Sequence, residues 1–195
     1  MKKVLALTLA VIMLVCFAAC GGGSKGETFD GQLADVVTAM YEKQPVEFMV
    51  GPAMEIDLTD AYAVNSYLGL GEIQEDAEGN AAPAGDVGIK EAYFSESMIG
   101  AQAYSLVLAR VNDTAKLEEI KKAMFEGINT RKWICVEADQ LRVVSYGDVI
   151  MLVMASSDLA AGLADGMVKA FAEAVTGAAV EDAAAVLTGE VLTRG

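Results

Sequence analysis

Leu141-Arg142-Val143-Val144-Ser145-Tyr146-Gly147-Asp148-Val149-Ile150-Met151-Leu152-Val153-Met154-Ala155 decides the fold of this 195-residue chain. Leu141 to Ser145 and Val149 to Ala155 read as the two arms of a β-hairpin. Tyr146-Gly147-Asp148 supplies the turn, where Gly147 is free to take positive φ. The second arm is almost entirely apolar, without the polar alternation of a half-solvated strand, so it belongs at the centre of a sheet.

Working outward, a second strand pair precedes the hairpin. Lys90 to Met98 carries Tyr93 and Phe94, Ala103 to Val111 carries Tyr104 to Leu108, and Gly100 marks the turn between them. Between the two pairs, Asn112-Asp113-Thr114 caps a helix. Leu117, Ile120, Met124 and Ile128 line one of its faces, and Glu118, Glu119, Lys121 and Lys122 are assigned to the other. Glu118 and Lys122 have the favourable i,i+4 order. After the hairpin, Ser157 or Asp158 caps a helix running to about Val175, in which Gly162 and Gly166 form a small-residue pair suited to close packing on its own sheet.

Before the first strand pair, Phe29 to Lys43 has helical spacing in Leu33, Val36, Val37, Met40 and Tyr41, with Asp30 as N-cap and Pro45 as terminator. Glu47 to Val50 is a short extended piece. A further helix spans about Leu58 to Leu68, capped by Asp57 or Thr59 and stopped by Gly69-Leu70-Gly71. Glu72 to Gly88 is rich in acids, Gly, Asn, Pro and Ala, and reads as an exposed loop or mobile insertion. The Ala-rich tail, 177–195, holds a short helix near Val180 to Leu187. The expected class is α+β: a single domain with one antiparallel sheet of about four strands (two hairpins), covered on one face by amphipathic helices.

The N-terminus gives an address. Lys2 and Lys3 precede the apolar run Val4 to Ala19, which is shorter than the roughly 20 residues of a spanning helix and ends at small residues before Cys20. This layout predicts a bacterial lipoprotein signal peptide over residues 1–19, with Ala18-Ala19-Cys20 matching the lipobox and Phe17 standing where Leu is usual. Cys20 is the expected lipidation site, cleaved at its N-side and carrying diacylglyceryl and palmitate-type chains; two chains anchor stably where one is marginal. Gly21-Gly22-Gly23-Ser24 follows as a flexible tether within residues 20–28, so the domain proper runs over 29–176. The expected location is the cell membrane, lipid-anchored and facing the extracytoplasmic side.

Net charge is −14, and removal of Lys2 and Lys3 leaves 12 basic and 28 acidic residues, a net of −16. So acidic a surface repels nucleic acid and anionic headgroups. Once Cys16 has left with the signal and Cys20 is acylated, Cys135 is the remaining cysteine of three. It has no partner for an internal disulfide and is expected to be buried as a small apolar residue.

The stretch from Tyr93 to Ser156 carries a combination of features: Ser97-Met98-Ile99, Leu108-Ala109-Arg110-Val111, Leu117 to Ala123, Trp133-Ile134-Cys135-Val136, and Tyr146 to Val153. In these it resembles a family of bacterial lipoproteins, typical of Gram-positive Firmicutes, catalogued only as domain of unknown function 4358. The resemblance implies an export signal, a tether and one domain in the cell envelope. It implies no catalytic residue.

The chain contains no histidine. This excludes Ser-His-Asp and Cys-His nucleophilic systems and the common zinc enzyme sites. No nucleophile elbow, S-x-x-K dyad or P-loop occurs. Asp76, Glu78 and Asn80 offer oxygens to a hard cation, but the spacing fails the EF-hand pattern. Met98, Met124, Met151 and Met154 are assigned to core faces. Trp133, with Tyr93 and Tyr146, is the candidate ligand-binding group. No metal site, cofactor or nucleic-acid partner is expected, and the chain reads as non-catalytic. Two functions remain: binding a small solute or cell-envelope fragment, which calls for a concave pocket near Trp133, Tyr93 and the acidic loop, or serving as a protein-interaction or accessory subunit of a membrane complex, which calls for an exposed apolar patch.

Overall fold

A computed structural model describes residues 28–195. The signal segment, Cys20 and the tether up to residue 27 lie outside the described residues.

The expected hairpin is present as β4 (Gln140–Tyr146) and β5 (Val149–Ala155), and the preceding pair as β2 (Ile89–Glu96) and β3 (Tyr104–Val111). Gly147 takes φ +59° at the turn. The sheet has six strands rather than about four, in the order β1-β2-β3-β5-β4-β6, every pairing antiparallel. The two additions are edge strands, β1 (Met54–Glu55) and β6 (Leu192–Arg194). Neither is long enough to display a two-residue period, so tertiary pairing alone creates them.

Helices cover both faces, not one. Side-chain alternation divides β3 and β5 between two cores. Tyr104, Leu106, Leu108, Met151 and Val153 point to a face packed by α1 (Leu33–Lys43) and α4 (Leu163–Thr176). Val107, Ala109, Ile150, Leu152 and Met154 point to the other, packed by α2 (Ala61–Ala63, continued as a π-helical turn over Val64–Leu68) and α3 (Leu117–Gly127). Every residue of β3 and β5 is buried. The near-continuous apolar run of β5 therefore marks a strand covered on both sides.

Several boundaries shift for identifiable reasons. α1 begins at Leu33 because Arg110 donates to the carbonyls of Phe29 and Gly31, holding that entry segment outside the helix; Asp30 does not cap it. α2 is capped by Asp60, whose carboxylate accepts from the amides of Tyr62 and Ala63. Asp57 instead accepts from Thr59, and this holds its carboxyl below its ordinary range. α4 starts at Leu163, after a left-handed Gly162, because the Ser157 amide is held by Asp139. The predicted helix near Val180 to Leu187 is only a 3-10 turn at Ala183–Ala185.

The 177–195 segment is bound into the domain. Val180 and Leu187 enter the first core, and β6 pairs with β4. The fixing group is Lys121. It is fully buried, contrary to its assignment to the solvent face of α3. Its ammonium donates to Glu118 Oε1 (2.9 Å), to the carbonyl oxygens of Glu190 (2.8 Å) and Thr188 (3.4 Å), and to Ser145 Oγ (3.4 Å). A buried ammonium persists only with its donors occupied, and this one draws α3, β4 and the C-terminal segment together.

On the α3 side, the end of the π-helical turn and the end of α3 meet backbone to backbone. A Cβ on Gly127 would lie 2.0 Å from the Gly69 carbonyl oxygen, and one on Gly69 (φ +66°) 2.4 Å from the Ile128 nitrogen. Both positions require glycine. Gly166 faces the end of the Gln44 side chain, 2.7 Å from where a Cβ would lie, and Gly162 has nothing within 4 Å, so the expected packing of this pair on the sheet is not seen.

Candidate functional site

The three aromatic residues singled out in the sequence do not converge. Tyr93 and Tyr146 lie on the α1/α4 face, Tyr93 on β2 and Tyr146 at the end of β4. Three strand spacings separate β2 from β4, about 14 Å. Tyr146 is engaged edge-to-face with Phe29, ring centroids 6.3 Å apart. Trp133 packs on the opposite core. A common platform would have to pass through the sheet.

Around Trp133 there is nevertheless a built cluster. Residues 131–137 bulge between Thr130 and Ala138, whose backbone hydrogen bond (2.9 Å) closes the loop. From this loop Lys132 reaches across the sheet end and forms an ion pair with Glu96 of β2. Its ammonium also lies 3.3 Å from the Ser66 carbonyl oxygen and 3.4 Å from Ser105 Oγ. The Tyr67 ring centroid is 4.5 Å from it and that of Trp133 5.4 Å, and Tyr67 in turn stacks on Phe94 at 3.9 Å. Burial lowers the lysine's pKa, with Glu96 opposing that shift, while burial and the Glu96 charge raise that of Tyr67. The aromatic faces and the carboxylate are thus already occupied by the chain's own cation.

Cys135, expected to be buried, is exposed on the same loop, and Ile134 beside it is 98% exposed. Met98, assigned to the core, is 65% exposed. Met124, Met151 and Met154 are buried, as their spacing requires.

The acidic segment is a solvent-facing excursion with hydrogen bonds of its own. Asp76 accepts from the amides of Glu78 and Asn80 and from the Asn80 side chain, which holds its carboxyl low. Oδ1 is thus engaged inside the turn, while Oδ2 accepts only from the Asn80 side chain (3.1 Å). Among the described residues no group of carboxylates, cysteines or histidines is arranged to hold a metal ion. Glu75 accepts from the Tyr62 hydroxyl, and Ala84 donates to the Thr59 carbonyl, tying the excursion to the start of α2.

Where the excursion returns to β2 it forms one wall of a cleft of about 400 Å³, with α3 as the other. Leu70, Val87, Ile120 and Ala123 make its apolar surface, and Asp86, Lys116 and Glu119 its polar one. The wall is fixed by Asp86, which accepts from the Gly88 amide (2.9 Å), and by Gly88 itself. At φ +76° the latter brings the backbone so close to α3 that a Cβ would lie 2.8 Å from Ile120 Cδ1. The sequence reading expected one pocket near Trp133, Tyr93 and the acidic loop; this cleft adjoins only the last, and its second wall comes from Lys116, in the 3-10 turn Thr114–Lys116, and from Glu119 of α3, which look like ordinary solvated charges.

Among the described residues no helix is long and apolar enough to cross a membrane. No protein-family model, curated protein or solved structure matches the chain.

Proposed function

We propose that this protein is a lipid-anchored extracytoplasmic domain, held on the cell membrane through diacylglyceryl-Cys20 and non-catalytic. In this reading it binds a small solute or cell-envelope fragment in the cleft between the acidic excursion and α3. The resemblance to the lipoprotein family is part of the proposal and rests on the residues quoted for it. The anchor reading is supported by the basic start, apolar run and Ala18-Ala19-Cys20. The binding reading is carried by one observation, the cleft of about 400 Å³. Its volume lies within the range of small-molecule sites, and its mixture of apolar surface with few charges is the usual chemistry of such sites. Lys116 presents a cation, and Asp86 and Glu119 present acceptors. A ligand with a carboxylate or phosphate beside hydroxyl or amide donors would match them, as muropeptides and short acidic glycans do.

The test is a thermal-shift series on the full chain in detergent, followed by the fluorescence of its single tryptophan, Trp133. Muropeptides, oligosaccharides, peptides and amino acids form the panel. A ligand at about 100 times its Kd stabilises by about 2.7 kcal/mol, a rise of a few degrees. Ala123→Trp, at an exposed position on the cleft wall, should abolish the shift and leave the unliganded melt in place. A flat panel on a cooperatively melting protein contradicts the cleft. A second reading, an accessory subunit of a membrane or cell-envelope complex, is favoured by the exposed apolar side chains at one end of the sheet.

A further inference from the structure

The sheet has two unlike ends. At one end the chain enters: the Phe29 amide donates to Asp148 Oδ1 (2.8 Å) in the β4–β5 turn, and Arg110 at the end of β3 donates to Asp148, Phe29 and Gly31. The guanidinium also contacts Glu91 Oε1 (2.6 Å), so its donors are consumed in fixing this entry point.

At the other end the apolar side chains are uncovered. Met98 and Ile99 follow β2 and are 65% and 46% exposed, and Met49, 60% exposed, accepts from the Met98 amide (3.0 Å). Ile134 tips the loop that precedes β4. Both lie at the sheet end closed by the Lys132–Glu96 ion pair: Ile134 is two residues beyond Lys132 in the chain, and Met98 two residues beyond Glu96. We propose that this end, centred on Ile134 and Met98 with Ile99 and Met49 beside them, docks a partner protein that presents an apolar pocket rimmed by basic side chains.

Position and charge select that occupant. Eight residues separate Cys20 from Phe29, and β3 alone spans about 25 Å between the two ends. With the anchor at Cys20, the entry end is the one held near the bilayer and the apolar end is the outer one. This step, and only this step, rests on the lipid-anchored reading. The charges around the patch favour a basic rim. Glu47, Asp139 and Asp158 are exposed there, whereas Arg131 is paired with Glu137 and Lys132 with Glu96. A second copy of this chain would bring the same acids face to face, so self-association is disfavoured. The irregular loop carrying Ile134 places a branched apolar side chain where water surrounds it on every side. This geometry suits an anchor that fills a partner's pocket.

The test is photo-crosslinking of the full-length protein in intact membranes. Benzoylphenylalanine replaces Ile134, Met98 or, as a control on the exposed face of α3, Lys122. The expected result is one discrete protein adduct from positions 134 and 98, absent from position 122. With the probe at 98, Ile134→Asp should cut that adduct about tenfold, as removal of an interface anchor does, while the melting temperature of the variant stays near the wild-type value. A lipid adduct, an adduct of twice the chain's mass, equal labelling at all three positions, or no adduct would each overturn the proposal. The acylation state of Cys20, measured on the same membranes, separates failure of this surface from failure of the anchor.

Discussion

Lys121 is where residue type and residue position disagree most. Leu117, Lys121, Met124 and Ile128 follow one another at helical intervals, so spacing alone places Lys121 on the inner stripe of α3. Its charge argued for the solvent face. Spacing prevails because β4 and the C-terminal segment supply acceptors for every direction in which the ammonium can donate. Those acceptors lie up to 69 residues away in the chain and are not visible locally. Lys121→Met keeps most of the volume but leaves buried carbonyl groups unpaired, and should cost about 2–4 kcal/mol in urea unfolding. Lys122→Met, on the exposed side of the same helix, should stay within about 0.5 kcal/mol of wild type.

Lys132 gives a pH signature. Burial lowers its pKa from the ordinary 10.5, so between the folded and unfolded values the unfolded chain binds more protons. This contribution therefore rises with pH as the folded protein releases the proton, and it is complete above the unfolded value. Tyr104 and Tyr41 act in the opposite sense. Burial raises both phenols above 10.0, so their contribution is full below that value and is lost as pH climbs through the folded pKa. Comparison with Lys132→Gln cancels Tyr104 and Tyr41, leaving the lysine and the Tyr67 ring it contacts. Wild type should gain stability relative to the variant as pH is raised from neutrality toward 10.5. A constant difference in denaturation midpoint would mean that the lysine is not desolvated.

At the scale of elements, the four long strands and three of the helices were legible because each carries a local signal, a helical period or an apolar run bounded by turn residues. α1 and α3 declare their inner faces in the 3.6-residue spacing, and the unbroken apolar run of β5 marked it as a central strand, though the helices on its second face were not anticipated. What was hidden depends on partners. β1 and β6 exist only because β2 and β4 offer open edges, and the start of α4 is displaced by Asp139, which lies before another element. The exposed loop at Ile134 contradicts the expectation for Cys135 because an apolar run in a loop has no period to reveal its direction. The C-terminal segment is the element with the clearest prediction. Deleting residues 187–195 removes Leu187 from the first core, β6 from the β4 edge and two carbonyl partners from Lys121. The truncated protein should lose more than about 3 kcal/mol. Hydrogen exchange of the β4 amides should accelerate well beyond that of β3, which remains covered by β2 and β5. Unchanged stability would show that the segment is an ornament on a complete sheet.

For the whole molecule, the candidate site was only partly legible. The acidic excursion and Trp133 were marked in the sequence as places of interest, and both lie at functional surfaces proposed here, the excursion in the cleft and Trp133 beside the outer end. Tyr93 and Tyr146 were not separable from Trp133 without knowing that sheet alternation sends them to the other face. The entry point is fixed by Arg110 and Asp148, and the proposed function adds a lipid tether before it, a ligand in the cleft on one flank and a partner at the apolar end. Which end of the domain faces away from the membrane depends on where the anchor is attached. The most direct measurement is intact and peptide mass spectrometry of the protein extracted from membranes. A mature N-terminus at Cys20 carrying the mass of diacylglycerol is the predicted result. A retained residue 1–19 segment, or an unmodified Cys20 on a protein that washes off the membrane, would contradict it.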